Sequence, residues 1–295
     1  MTAGEQGFLL LTGFLGDPDR RPLTLAQFRQ LTLRARTMEK PLQDRELTRE
    51  DLRLLGCSDL FAQRVLELLS QQDLLDRYLC EGKREGCYPI TRVSTAYPGG
   101  LRQTLGPDAP GVLWAKGDEA LLQTPMISVV GSRELEQQNH LFAREVGKQA
   151  ALQGYTLVSG NARGADRTAQ NACLDHGGKV ISVVADRLTD RPQRKDILYL
   201  SEEGFDLDFS AHRALQRNRI IHCLGEKVFV AQCAMRKGGT WSGTKMNLRN
   251  NWRPVFCFAD GSEAAGELEQ MGAAAVTLED LSCIAQLHGR TISFI

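Results

Sequence analysis

Residues Ser159 to Asp166 read SGNARGAD and follow the apolar run YTLV. Two glycines and an asparagine between the end of a strand and a coming helix bare the backbone, and amides exposed in that way can hold an anion. Three more loops have a similar make-up. Gly131, Ser132 and Arg133 follow MISVV, Ala185, Asp186 and Arg187 follow KVISVV, and CAMRKGGTWSGT comes after KVFVA.

Gly131, Gly160, Gly164, Gly238, Gly239 and Gly243 let the backbone approach a phosphate closely, and helices expected to begin near Arg163 and Gly243 would aim their positive ends at it. Ser132, Ser159, Thr240, Ser242 and Thr244 offer hydroxyl donors, Asn161 an amide, and Arg133, Arg163, Arg187 and Lys237 charge. One glycine-rich turn would mean little, but several on one sheet edge point to a phosphate-binding crevice; the competing reading is plain turn chemistry. Neither G-x-G-x-x-G nor the Walker pattern occurs in these turns, which argues against a standard NAD or ATP site. A second basic element is Arg213 followed by QRNRII, in which Arg213 and Arg217 are i, i+4 neighbours and Asn218 and Arg219 adjoin them. A solvated helix face is the alternative there.

These loops need a scaffold. MISVV, YTLVS, KVISVV, KVFVA and PVFCF are short unbroken apolar runs separated by helical patterns, and AAAVT is a possible sixth. Strand and helix in alternation predict an α/β fold, an extended Rossmann-like parallel sheet with helices on both faces, over residues 124–295. Residues 1–85 carry helix-period patterns, TLAQFRQLTLRART, TREDLRLLG and SDLFAQRVLELLSQQDLLDRYL, and predict a small all-helical domain. Within it Phe61, Val65 and Leu68 or Leu69 share a face behind an N-cap at Ser58 and Asp59, and LGCSDLFAQRVLELL could alternatively be a helix-hairpin-helix grip on DNA. Residues 86–123 are irregular and Pro/Gly-punctuated; they read as a linker that lies against the next domain, with Leu113, Trp114 and Leu121 to bury.

Composition narrows the classes. Hydrophobic residues at 42% and charged residues at 24% exclude a disordered or fibrous chain. Lys plus Arg equals Asp plus Glu at 36 each, yet residues 121–260 hold 19 basic and 14 acidic side chains, a local excess that neutrality hides. Eight cysteines without a C-x-x-C pair read as buried thiols of a reduced compartment, and the apolar N-terminal patch is too short and broken for a membrane span, so a cytoplasmic protein is expected. No metal or cofactor is expected: the five histidines form no i, i+4 pair, and neither serine stands in a G-x-S-x-G elbow.

The order and spacing of VVGSR, LVSGNARGAD, GGKVISVVAD and RNRII, preceded by YPGGLRQTLG and APGVLWAKGDEALL, resemble the DprA/Smf DNA-processing family over about residues 97–260. The resemblance implies an extended Rossmann domain that binds single-stranded DNA without cutting it. It also implies a homodimer that protects incoming strands during transformation and helps to load a RecA-type recombinase. Gly131, Ser132, Arg133, Ser159, Gly160, Gly164, Asp166, Arg217, Asn218 and Arg219 match the family's motifs. The chain departs from it where members commonly have G-I-D followed by A-H and this one has Gly164, Ala165, Asp166 and then Ala169, Gln170. It has KGGTWSGT where many have S-G-S-x-x-T-A, and it is expected to lack the winged-helix-like C-terminal domain that many carry.

Two other classes compete. GGTWSGT is similar to the P-G-G-x-G-T-x-x-E loop of LOG-type nucleotide hydrolases, but Lys245, Met246, Asn247 and Leu248 follow and no acid is placed for a ribosidic bond. A non-catalytic sensor of a nucleotide would use the same glycines and hydroxyls. Arginines spread over several loops favour a ligand with phosphates in a row, and Trp241 and Trp252 are candidates for base stacking or for core packing.

Overall fold

Four of the first five helices start on a hydroxyl. In the computed structural model, which describes residues 1–36 and 47–289, these are α1 (Ala3–Thr12), α2 (Leu25–Ala35), α3 (Arg49–Leu54), α4 (Asp59–Leu69) and α5 (Gln72–Arg84). Thr2, Thr24, Thr48 and Ser58 accept a hydrogen bond from the third amide of α1 to α4, each worth about 1 kcal/mol to a helix start. The last residue of TLAQFRQLTLRART and residues 290–295 lie outside the described residues.

The apolar N-terminal patch is a core helix. Phe8 to Leu11 are all buried in α1, Leu11 facing Leu31, Leu52, Val65 and Leu68 in a small helical core. Leu9 and Leu10 instead join Leu75 and Tyr78 of α5 in the core beneath the sheet, so helices and sheet share apolar contact. No helix among the described residues is long and apolar enough to cross a membrane.

The remaining elements are β1 (Tyr88–Thr91), α6 (Gly99–Leu105), β2 (Val112–Lys116), β3 (Met126–Val130), α7 (Gln137–Leu152), β4 (Thr156–Ser159), α8 (Ala165–Asp175), β5 (Val180–Val184), β6 (Ile197–Glu202), α9 (Ala211–Leu224), β7 (Lys227–Val230), α10 (Gly238–Asn250), β8 (Val255–Phe258), α11 (Glu263–Gln270) and β9 (Ala274–Val276). All six apolar runs read as strands form strands. Among the described residues nine strands lie in the order β1-β2-β6-β5-β4-β3-β7-β8-β9, parallel from β6 to β9. One face is covered by α7 and α8 through Phe142, Val146, Ala169 and Cys173. The other is covered by α6, α9, α10 and α11 through Leu101, Ile220, Trp241 and Leu268. Burial on both faces explains why the central strands are mostly apolar on both sides, with only small hydroxyl residues such as Ser128 and Ser182 among them.

Three features depart from the sequence reading. Residues 86–123 supply β1 and β2, which extend the sheet antiparallel at the β6 edge with Tyr88 opposite Ala115 and Lys116 opposite Tyr199. Proline and glycine around these short strands mask their period. Ile197–Glu202 adds β6, a strand the sequence reading omits, hidden behind the polar stretch RPQRKD. Cys80 is exposed, whereas Cys87, Cys173, Cys223 and Cys257 are buried.

The order of the strands makes the crevice. From β3 the chain winds outward through β4, β5 and β6, then returns through α9 to place β7 on the other side of β3. Loops leaving the carboxyl ends of β3 and β7 therefore diverge, and a ligand crevice opens between them.

Candidate nucleic-acid interface

The loop after β3 is locked to its two neighbours. Ser132 donates its amide to Gln232 O at 2.9 Å and accepts at its carbonyl from the Ala165 amide at 3.1 Å. A Cβ on Gly131 would fall 2.4 Å from the Ala165 Cβ, and one on Gly164 would fall 2.3 Å from Ser132 O. With φ at +84°, Gly164 also holds a backbone shape that other residues rarely take. Thr240 donates its hydroxyl to Gly131 O at 2.9 Å, which ties the start of α10 to the same loop. Three loops thus converge on Gly131, Ser132 and Arg133.

Above them lies a cleft of about 480 Å³, lined by Gly131 to Arg133, Asp166, Arg217, Asn218 and Lys237 to Thr240. A second cleft of about 320 Å³ adjoins it over β4 and β5, lined by Gly160, Asn161 and five arginines, 133, 163, 167, 191 and 217. Arg133 and Arg217 line both, so the two form one groove along the carboxyl edge of the sheet. Arg133 and Lys237 are exposed, and their side chains have no hydrogen-bond or ionic partner among the described residues.

Arg217 is the buried member of the set. It is 9% exposed, donates from Nη1 to Val183 O at 2.9 Å, and leaves Nε without a partner among the described residues. Burial lowers its pKa, while Asp166 and Asp186 attract it through space without pairing with it. The Asp166 carboxylate accepts the amides of Gly160 at 3.1 Å and Ala162 at 3.2 Å, and so shapes SGNARGAD from within. Burial pushes that carboxyl up, opposed first by Arg217, then by the two amides and by Arg133.

Other predicted residues stand elsewhere. Ser159 is buried and accepts from Gln170 Nε2 at 2.6 Å beneath the loop. Arg163, on the rim of the smaller cleft, pairs with Glu134 at 2.7 Å. Arg187 forks onto Asp208 at 2.7 and 3.1 Å. Arg213 donates to the carbonyls of Ala185, Glu202, Leu207 and Asp208 and to Ser201 Oγ, leaving it no free edge for a phosphate. Arg219 forks onto Glu202 at 2.8 and 2.5 Å, because two residues along a helix turn roughly 200° and carry it away from the face of Arg217.

The helix predicted near Gly243 begins at Gly238, five residues earlier, and this moves the rest of its motif. Ser242 is exposed, Gly243 packs beside His222, and the Thr244 hydroxyl is buried without a partner. Gly239 is close to the amide of Asn218, whose Nδ2 donates to Gly239 O at 3.1 Å. Trp241 is buried in the core, and Trp252 packs against the same core, so both serve packing.

The sequence reading also missed lining residues. Arg167, one turn after Arg163, and Arg191, in the loop after β5, were legible as basic residues near strand ends. Phe209 and His222 carry no local signal; the first comes from the connection into α9 and the second from inside that helix.

A family model described as DNA recombination-mediator protein A matches residues 89–286, more than half of the chain. Protein Smf of Escherichia coli is 32% identical over 232 residues, 73% of this chain and 60% of its own length. The DNA processing protein DprA of Streptococcus pneumoniae is 35% identical over 187 residues, 58% of this chain and 64% of its own length. The chain therefore spans under two thirds of these curated relatives. The crystal structure of DNA processing protein A from Streptococcus pneumoniae superposes with a TM-score of 0.66 at 25% identity, covering 90% of this chain and 99% of that one. DNA processing protein A from Helicobacter pylori, solved for its single-stranded DNA binding mode, shares the fold with a TM-score of 0.56 at 22% identity, over 68% of this chain and 97% of that one. Matched over most of its sheet by the family model and over 90% of its length by a solved member, this chain belongs to the DNA recombination-mediator protein A family, the DprA/Smf DNA-processing proteins.

Proposed function

We propose that the protein binds single-stranded DNA along the two-lobed groove, without cutting it, and mediates recombination by protecting the strand and loading a RecA-type recombinase. The observation that carries this is the position of Arg133 and Arg217, which line both clefts and leave guanidinium edges without carboxylate partners. A continuous row of cations suits a ligand with phosphates in series, and contacts of this kind position a backbone without reading sequence. The family name and the single-stranded DNA reported for the Helicobacter pylori protein support the same reading.

Neither carboxylate lining the two clefts is open to a substrate: Asp166 holds two amides, and Asp186 pairs with Arg191 through Oδ2 while its Oδ1 is buried, without a partner among the described residues. That favours a binding protein over a nucleotide hydrolase, whose ribosidic chemistry needs a carboxylate at the anomeric carbon. We further propose a homodimer acting in the cytoplasm, and a division into a helical domain 1–85, an extension 86–123 and a Rossmann-like domain 124–295. Among the candidate contacts the reading assigns the strand to Gly131, Ser132, Arg133, Gly160, Asn161, Arg217, Asn218 and the Lys237–Thr240 turn.

The test is fluorescence anisotropy of a labelled 40-mer single strand, repeated with duplex and across a salt series, for the wild type and for Arg133→Ala with Arg217→Ala. The double variant should bind every sequence more weakly, and each lost phosphate contact should take about 0.7 from the slope of log K against log salt. Unchanged binding by a folded double variant would overturn the assignment. A wild type that ignores DNA but is stabilised by mononucleotides would move the groove to a nucleotide ligand.

A further inference from the structure

We propose that Phe209 is a stacking post for one nucleobase, set between two phosphate-binding lobes; the inference rests on the reading of the groove as a single-strand site. Phe209 lines both clefts together with Arg133 and Arg217, and it is 57% exposed. More than half of the residue is thus open to the groove it lines, which leaves a face of the ring available to a base.

The chain on either side of the ring is pinned. Arg213 donates from Nη1 to the carbonyls of Leu207 at 3.0 Å and Asp208 at 2.9 Å, and Arg187 forks onto the Asp208 carboxylate. On the far side Ser210 caps α9, accepting the Arg213 amide at 3.1 Å. Arg187 and Arg213, read from the sequence as phosphate ligands, thus act as positioning residues that fix the backbone presenting Phe209. With the backbone on both sides of the ring tied down in this way, a ligand that stacks on it meets less of the entropy cost of fixing a loop.

A strand with one phosphate beside Arg133 in the larger cleft and a later one beside Arg167 in the smaller passes Phe209, which lines both. Every base has a π face, so stacking there adds affinity without selecting sequence. Neither Trp241 nor Trp252 is available for that part, since both pack on the core.

The test compares a labelled thymidine strand with a strand of equal length and charge whose central positions are abasic, against the wild type, Phe209→Ala, Phe209→Leu and Phe209→Trp. The wild type should favour the base-bearing strand, and Phe209→Ala should lower that ratio by about five- to 150-fold, the range of base-on-aromatic stacking. Its salt slope should stay unchanged, because no phosphate contact is lost. Phe209→Leu, which keeps apolar bulk and loses the ring, should behave like Phe209→Ala, and Phe209→Trp should restore the preference. A wild type that binds both strands while Phe209→Ala leaves their ratio unchanged overturns the stacking post alone. A wild type that binds neither strand overturns the single-strand reading of the groove, and the post with it.

Discussion

The Arg217 guanidinium occupies the space that a side chain on Gly160 would fill: a Cβ there would lie 1.4 Å from Nη1 and 2.1 Å from Cζ. The glycine of SGNARGAD is therefore a seat for an arginine that arrives from α9, 57 positions later in the chain. Gly160→Ala should push the guanidinium from its place and break its bond to Val183 O. We expect a loss of about 1–3 kcal/mol in urea unfolding and a fall in single-strand affinity close to that of Arg217→Ala. Wild-type affinity in Gly160→Ala would show that the position of Arg217 does not matter to binding.

Gly164→Ala should be the more damaging change. Its φ of +84° costs another residue about 1–3 kcal/mol, and the new Cβ would meet the backbone of Ser132 and Arg133, which cannot swing aside as a side chain can. The expected outcome is a melting temperature lower than that of Gly160→Ala. Equal stability of the two variants would contradict the claim that Gly164 locks the β3 loop against α8.

The two arginines of RNRII should separate cleanly. Arg219 and Glu202 pair with side chains 18% and 19% exposed, away from the groove. Arg219→Ala should cost about 1–3 kcal/mol of stability, by stranding a half-buried carboxylate, and leave strand affinity unchanged. Arg217→Ala, which gives up the buried bond to Val183 O as well as the groove cation, should lower strand affinity together with stability. Anisotropy and chemical unfolding on the same two variants decide the point.

His222 sets a pH dependence of stability. Fully buried, with Nδ1 3.2 Å from Asn247 Nδ2, it has its pKa lowered by burial from 6.5 to about 4. The unfolded chain takes up a proton at this residue between those values and the folded chain does not, so stability is held above pH 6.5 and lost as pH falls toward 4. The histidine alone should contribute about 3 kcal/mol to that loss. His222→Asn, which keeps an acceptor near Nδ1, should flatten the slope of unfolding free energy across this window. An unchanged slope would mean that other groups carry it.

Much of the frame was legible in the residues. Six apolar runs, the hydroxyl cap at Ser58, and the glycine-rich loops after β3, β4 and β7 are local patterns, set by side-chain period and backbone freedom within a few residues. The family motifs added which sheet those patterns build. By contrast β1, β2 and β6 carry a weak local signal: proline and glycine surround the first two, a polar stretch precedes the third, and β2 pairs with β6 from 89 positions away, Leu113 opposite Glu202.

Only the tertiary structure decided what the arginines do. In sequence, residues 187, 213, 217 and 219 look alike, each near a loop of one sheet edge. In the fold Arg213 meets acceptors from residues 185, 201, 202, 207 and 208, Arg187 and Arg219 meet carboxylates, and Arg217 alone among them turns into the groove over Gly160. Loop composition shows that an anion site is affordable to the backbone. Which cation faces it depends on helix rotation and on acceptors brought from distant segments, and neither is written in any single stretch of the chain.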